Sequence, residues 1–367
     1  MITLKLLPVL FFTTWPLQRA ECETIHIIPP GGSCQGAPAG VRCLTLQEYF
    51  YSPSSSSNIY MELQPGYHSL DSGFRIEVFN TTNFTMVSNG GILDCNDAHN
   101  IILITNVSYV YIGTMTVINC QFFLEGVNKL VVEDGSFYGM NTSHSALFMS
   151  PRTVAIVRRL FCSKYSLCLN IPWYGSLEVS DSTFINNHGR VLRMGTNAYL
   201  TVNRCSFRNN RGIENGGVIY AQGADQVRVF DSSFVNNHGT SAVRIGSNSY
   251  LLVQRCSFRN NSGIENGGVI SIYHTILSIQ YSTFSFNVAN QHGGVIYSRT
   301  HASGTKTINI EGSSFYNNTA IMNGGVIYMN HPTLNIVGSN FSKNSAGGDG
   351  DVMYLIGSQA TVHNSTL

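Results

Sequence analysis

The chain has 367 residues, and only 11% of them are charged, less than half the share of about 25% in ordinary globular domains. With 35 glycines, and with Asn, Ser and Thr carrying most of the polarity, the composition is that of an all-β protein with many tight turns, not a helical or disordered one. A formal net charge of +1 and a pI near 7.6 argue against nucleic acid as a partner.

Residues 1–20 read as a secretory signal: Lys5 supplies a small positive region, Leu6 to Phe12 a short apolar stretch, and Ala20 a plausible last residue before cleavage. No segment approaches the roughly 20 apolar residues of a membrane span, so the chain is expected to be secreted or displayed at the cell surface. Nine cysteines fit an oxidising compartment, and the odd count leaves at least one thiol unpaired. Residues 21–58, with Cys22, Cys34, Cys43, a Pro-Pro-Gly-Gly turn and the run Ser52–Ser57, are expected to form an N-terminal cap stapled by cysteines. Cys162 and Cys168 could close a short loop. Asn80, Asn83, Asn106, Asn141, Asn260, Asn317, Asn340 and Asn364 stand in Asn-x-Ser/Thr sequons, which permit glycosylation.

From residue 59 onward the chain repeats. Ser182–Gly189 recurs as Ser232–Gly239, and Arg204–Asn210 recurs as Arg255–Asn261. A smaller unit of about 25 residues lies inside that block, marked by Phe at 137, 161, 184, 207, 234, 258, 284, 315 and 341. Aliphatic residues stand five and seven places before Phe, as at Leu200 and Val202, Val227 and Val229, and Leu251 and Val253. Period-two alternation, then a corner, then a strand holding Phe, reads as one coil of a solenoid, with roughly a dozen coils in residues 59–367. Three places after Phe comes Asn187, Asn210, Asn237, Asn261, Asn287, Asn318 and Asn344. Stacked about 4.8 Å apart, these amides can hydrogen-bond in a ladder, and Asn also tolerates a left-handed corner. Gly-Gly-Val-Ile follows at Gly216, Gly267, Gly293 and Gly324, with a degenerate copy at Gly350.

The pairing of Phe-x-x-Asn with Gly-Gly-Val-Ile, over about residues 180–355, resembles the repeat of the polymorphic outer-membrane proteins. The resemblance implies a single-stranded right-handed parallel β-helix of pectin-lyase-like shape, used in adhesion. No counterpart of that family's C-terminal membrane barrel is expected within these 367 residues.

The charges are unevenly spread, with thirteen Lys/Arg against five Asp/Glu in residues 152–259. Three places before each Phe, Asp134, Arg158, Asp181, Arg204, Asp231 and Arg255 alternate in sign, which predicts a charge ladder that fixes register. Arg190, Arg193, Arg208, Arg211, Arg228, Arg244 and Arg259 fall outside that column and are the candidate surface for an anionic ligand. His188 and His238 lie two coils apart, too far for one metal ion, and read as turn residues. Cys205 and Cys256 take an inward small-residue position, also two coils apart.

Right-handed β-helices also host polysaccharide lyases and glycosidases, which need converging carboxylates or an acidic calcium site. Asp94 and Asp97 are the nearest acidic pair, with no evident His or Lys beside them. The reading is therefore a non-catalytic adhesion or recognition scaffold for extracellular glycans or glycoproteins, without cofactor, metal or nucleic acid. The alternative is a lyase or glycoside hydrolase of pectin-lyase-like fold. Because Leu367 takes the place of Phe341 one coil later, the C-terminus is expected to be incomplete, with any anchor in the missing part.

Overall fold

The computed structural model describes residues 23–367 apart from 34–36, 38–39, 52–55, 71–74, 97–99, 213–216 and 302–305. The expected signal sequence, Cys22, Cys34, Asp97 and Gly216 lie outside the described residues.

Most coils contribute one strand to each of three parallel ladders, the first a 15-stranded sheet and the other two joined in a 22-stranded one. The first ladder holds the strand before Phe, from Asn58–Leu63 to Gln359–His363, as one continuous sheet. Its register is the one that the aliphatic spacing predicts: Leu200, Val227, Leu251, Leu277, Ile308 and Leu334 stand in one buried column. Strands such as Ser206–Arg208 and Ser233–Val235 carry Phe on the second face. Strands such as Ile219–Ala221, Val243–Ile245 and Ile270–Tyr273 form the third. From Arg211 onward, two-residue strands bridge the second and third faces.

The core is a set of such columns. Phe184, Phe207, Phe234, Phe258, Phe284, Phe315 and Phe341 stack with ring centroids 4.6–5.0 Å apart, the spacing of parallel strands. Full burial of each contributes about 1.5–3 kcal/mol.

The two glycines of Gly-Gly-Val-Ile have different reasons. Gly267, Gly293 and Gly324 sit at φ of 67–71°, where a side chain is strained. At Gly294 a Cβ would lie 2.1 Å from the Gly325 carbonyl oxygen of the next coil, so the second glycine lets neighbouring coils touch.

Residues before Asn58 do more than cap. Glu23–Ile27 pairs in parallel with Asn58–Leu63, and Val41–Leu44 pairs on its other side. A short helix, Leu46–Tyr51, follows. Thr45 and Glu48 exchange hydrogen bonds at its start, the reciprocal arrangement of a capping box, and Leu46 and Tyr49 are buried in the core.

One expected position is corrected. Phe161 is not the inward residue of its coil: Cys162 pairs with Phe137 on one side and Phe184 on the other, and Phe161 packs outside against Tyr138. The corner column therefore runs Asp134, Arg159, Asp181, Arg204, Asp231 and Arg255, and Arg158 instead ends the preceding strand. All six corner residues lie at φ of 48–55°.

Candidate functional site

Columns that look chemical in the sequence are mostly structural. In the asparagine ladder each Nδ2 donates to the next Oδ1 at 2.9–3.0 Å, and also to the carbonyl of the inward residue one coil back. Each Oδ1 accepts in addition the backbone N–H of the preceding asparagine. From Asn187 to Asn318 these amides are buried with their capacity used, so no ligand role is left to them. The left-handed corner belongs to the residue before, at Asn186, Asn209, Asn236, Asn260 and Asn317. The expectation that one asparagine does both jobs is thus corrected: the first of each Asn-Asn pair turns the chain and the second builds the ladder.

A second buried ladder runs through Ser182, Cys205, Ser232, Cys256, Ser282, Ser313 and Ser339. Its serine hydroxyls accept the backbone N–H of the coil before, as Ser232 does from Cys205 and Ser282 from Cys256. Cys205 and Cys256 are free and buried, and burial pushes their thiols up to about 11 and 12, so neither is a nucleophile at neutral pH. Cys162 is bonded to Cys168, and Cys95 to Cys120, a pair that the sequence reading missed although their separation of 25 residues is one coil. Cys43 is also disulfide-bonded.

The charged corner forms pairs, not a continuous ladder. Arg159 chelates Asp134, Arg204 chelates Asp181 and Arg255 chelates Asp231, each through Nε and Nη2 at 2.6–2.9 Å. These arginine hydrogen bonds hold the three carboxyls below the usual carboxylate range. Arg158 reaches Glu133 at 3.1 Å. His238, expected in a turn, instead lies in the two-residue strand His238–Gly239, in register with Arg211, and its Nδ1 is 2.5 Å from the Ser262 hydroxyl. Among the described residues no cluster of three His, Cys, Asp or Glu could hold a metal. Asp94 is buried, bound by the Tyr67 hydroxyl and the Asn96 backbone N–H.

The seven remaining arginines do not form one patch. Arg208 and Arg259 point out from the second face with Val235 between them, Arg228 lies on the first face, and Arg211 lies on the bridge. Arg193 and Arg244 share the third face. There the strand alternation buries Leu192 and Met194, Ile219 and Ala221, and Val243 and Ile245, and turns out a column Arg193, Tyr220, Arg244, Ser271, Tyr297 and Tyr328. Arg190 joins it, its guanidinium 4.4 Å from the Tyr220 ring centroid. Tyr297 stacks on Tyr328 at 5.3 Å.

Two open depressions of about 460 and 420 Å³ lie along this face. The first is lined by Trp173, Arg193, Tyr220, Gln222 and Asp225, the second by Tyr220, Arg244, Tyr273, Tyr297 and Arg299. They share Tyr220 and Gln222, and so form one groove along the coil axis. Trp173 is 53% exposed. Unlike the corner arginines, Arg193, Arg244 and Arg299 meet no carboxylate within salt-bridge distance among the described residues. Asp225 lies at the edge of the groove and accepts the Tyr199 hydroxyl, which raises the Tyr199 pKa. Trp173, Tyr220, Tyr273, Tyr297 and Arg299 were not among the candidates read from the sequence.

Residues 204–222 and 312–330 match the repeat of the Chlamydia polymorphic membrane proteins. The chain thus carries repeats of that type, wound into a parallel β-helix. No curated protein and no solved structure matches the chain. Among the described residues no helix is long and apolar enough to cross a membrane.

Proposed function

We propose that the protein is a non-catalytic extracellular recognition scaffold that binds glycans or glycoproteins through the third-face groove. The repeat family and the fold are consistent with a surface-displayed protein of adhesin type. The observation that carries the reading is the groove itself, where exposed and half-buried aromatic rings and arginines without carboxylate partners follow one another along the coil axis. Aromatic faces take the apolar faces of sugars, and guanidinium groups take their acids and hydroxyls. A glycosidase of the two-carboxylate kind would need a second carboxylate facing Asp225, and among the described groove residues Asp225 stands alone.

A glycan array probed with the secreted chain is the test. Binding lost in the triple variant Trp173→Ala, Tyr220→Ala, Tyr297→Ala, with an unchanged melting temperature, supports the reading. Binding that survives in this variant places recognition elsewhere, and cleaved oligosaccharides would favour the enzyme.

A further inference from the structure

We propose that the ligand of the third face is a linear acidic polysaccharide with one acid per disaccharide, laid along the coil axis. The proposal rests on the recognition reading above and names the ligand class.

Spacing carries it. Arg193 and Arg244 are two coils apart with Tyr220 between them. Arg299 lies two coils beyond Arg244, two residues past Tyr297 on its strand and in register with Tyr273, beside the Arg193–Arg244 column. At about 4.8 Å per coil, positive charge recurs every 9.6 Å or so along the groove. Two sugars of an extended chain span a comparable step. An acid on alternate sugars meets Arg193, Arg244 and Arg299 in turn, and leaves the sugar between them over Tyr220 or beside Ser271. A chain with an acid on every sugar would set half its charges against those uncharged residues. An extended peptide fits less well, because its same-face side chains recur at about 6.8 Å.

The chemistry agrees with the spacing. A guanidinium takes a carboxylate or sulfate in a two-point hydrogen bond, and these three have no protein acid to displace. Arg190 stands on the same strand as Arg193, its guanidinium 4.4 Å from the Tyr220 ring centroid, and adds to the positive charge at that end of the groove. Asp225, on the same coil as Tyr220, repels an acid there and favours an uncharged sugar between Arg193 and Arg244.

The test compares oligosaccharides of equal length by calorimetry: hyaluronan fragments (one carboxylate per disaccharide), polygalacturonate fragments (one per sugar) and neutral cello-oligosaccharides. The hyaluronan fragments are expected to bind tightest, and more weakly as salt is raised. Arg193→Ala, Arg244→Ala, Arg299→Ala together should weaken binding by about tenfold or more, equivalent to about 1.4 kcal/mol. The same three changed to Lys should keep part of the affinity. Arg208→Ala with Arg259→Ala, on the second face, should leave it unchanged.

Tightest binding of the neutral chain, or equal loss in the second-face variant, overturns the acidic-ligand proposal while third-face recognition stands. No binding by any of the three chains, in an assay where an array has also returned none, overturns both.

Discussion

From Ser176 to Ala346 the same side chain recurs at the same place coil after coil, whereas from Asn58 to Ile171 the same place is filled by one residue type after another. The inward site of the second face reads His68, Leu93, Val117, Phe137 and Cys162 in the early coils, then Phe in every coil from Phe184 to Phe341. Both regions are parallel and, apart from register shifts between Ser136–Met149 and Phe161–Ile171, in register, so identical residues are not what winds the coil. Backbone pairing and inward apolar side chains suffice for that. What the late coils add is contact between like side chains: ring on ring, and amide to amide. The early coils use disulfides instead, Cys95–Cys120 between adjacent coils and Cys162–Cys168 within one, next to Tyr165, whose hydroxyl donates to the Cys120 carbonyl.

The sharpest way to break this comparison is to remove one rung. Asn237→Ala leaves the Asn210 amide and backbone N–H, and the Phe207 carbonyl, without their partner in a buried site. Each group left unsatisfied costs about 1–3 kcal/mol, so a loss of 3 kcal/mol or more is expected in denaturant unfolding. Phe234→Ala should cost a similar 3–5 kcal/mol, and Val117→Ala at the equivalent early site about half as much. Equal losses at Phe234 and Val117 would mean that ring stacking adds nothing to burial.

Next in size is the disulfide. Cys95→Ser with Cys120→Ser should cost about 2–4 kcal/mol, because it frees a loop of one coil in the unfolded chain. Hydrogen exchange should then rise in residues 58–171 and stay unchanged in residues 200–290. Loss of protection through the late coils would show one cooperative unit instead of two differently held regions.

The smallest effect belongs to the corner. Arg204→Asp sets a third acid beside Asp181 and Asp231, and the melting temperature should fall, but less than for either change above because these groups are solvent-exposed. The three chelated aspartates have folded pKa values below the unfolded value of about 3.9, so their contribution is present above that pH and fades as pH falls through the folded values. The melting temperature of Arg204→Asp and of the native chain should therefore converge below about pH 3.9. A difference that widens on acidification would contradict the pairing.

Self-contact also decides what can be read from the sequence. The late coils are legible because Asn187 and Asn210, or Phe207 and Phe234, touch their own copies and so must match. At Phe161 the reading slipped by one residue, because the inward site there is taken by a disulfide cysteine. Ala155 and Val157, seven and five places before Cys162, carry the correct register. The groove leaves no such trace. Arg193, Tyr220, Arg244, Ser271 and Tyr297 occupy one column, yet they face solvent more than one another, so nothing requires them to be alike. Only the stacking of the coils brings Trp173 and Arg299 to the same groove.

The central claim is that columns facing the core hold the fold while one outer column is kept for binding. Hydroxyl-radical footprinting of the exposed aromatics, with and without the glycan that binds tightest, tests it most directly. The account predicts protection at Trp173, Tyr220, Tyr273 and Tyr297, and unchanged oxidation at Tyr281 and Phe286, which are exposed on other sides of the coil. Protection at Tyr281 or Phe286 with none at Trp173 and Tyr220 would contradict it.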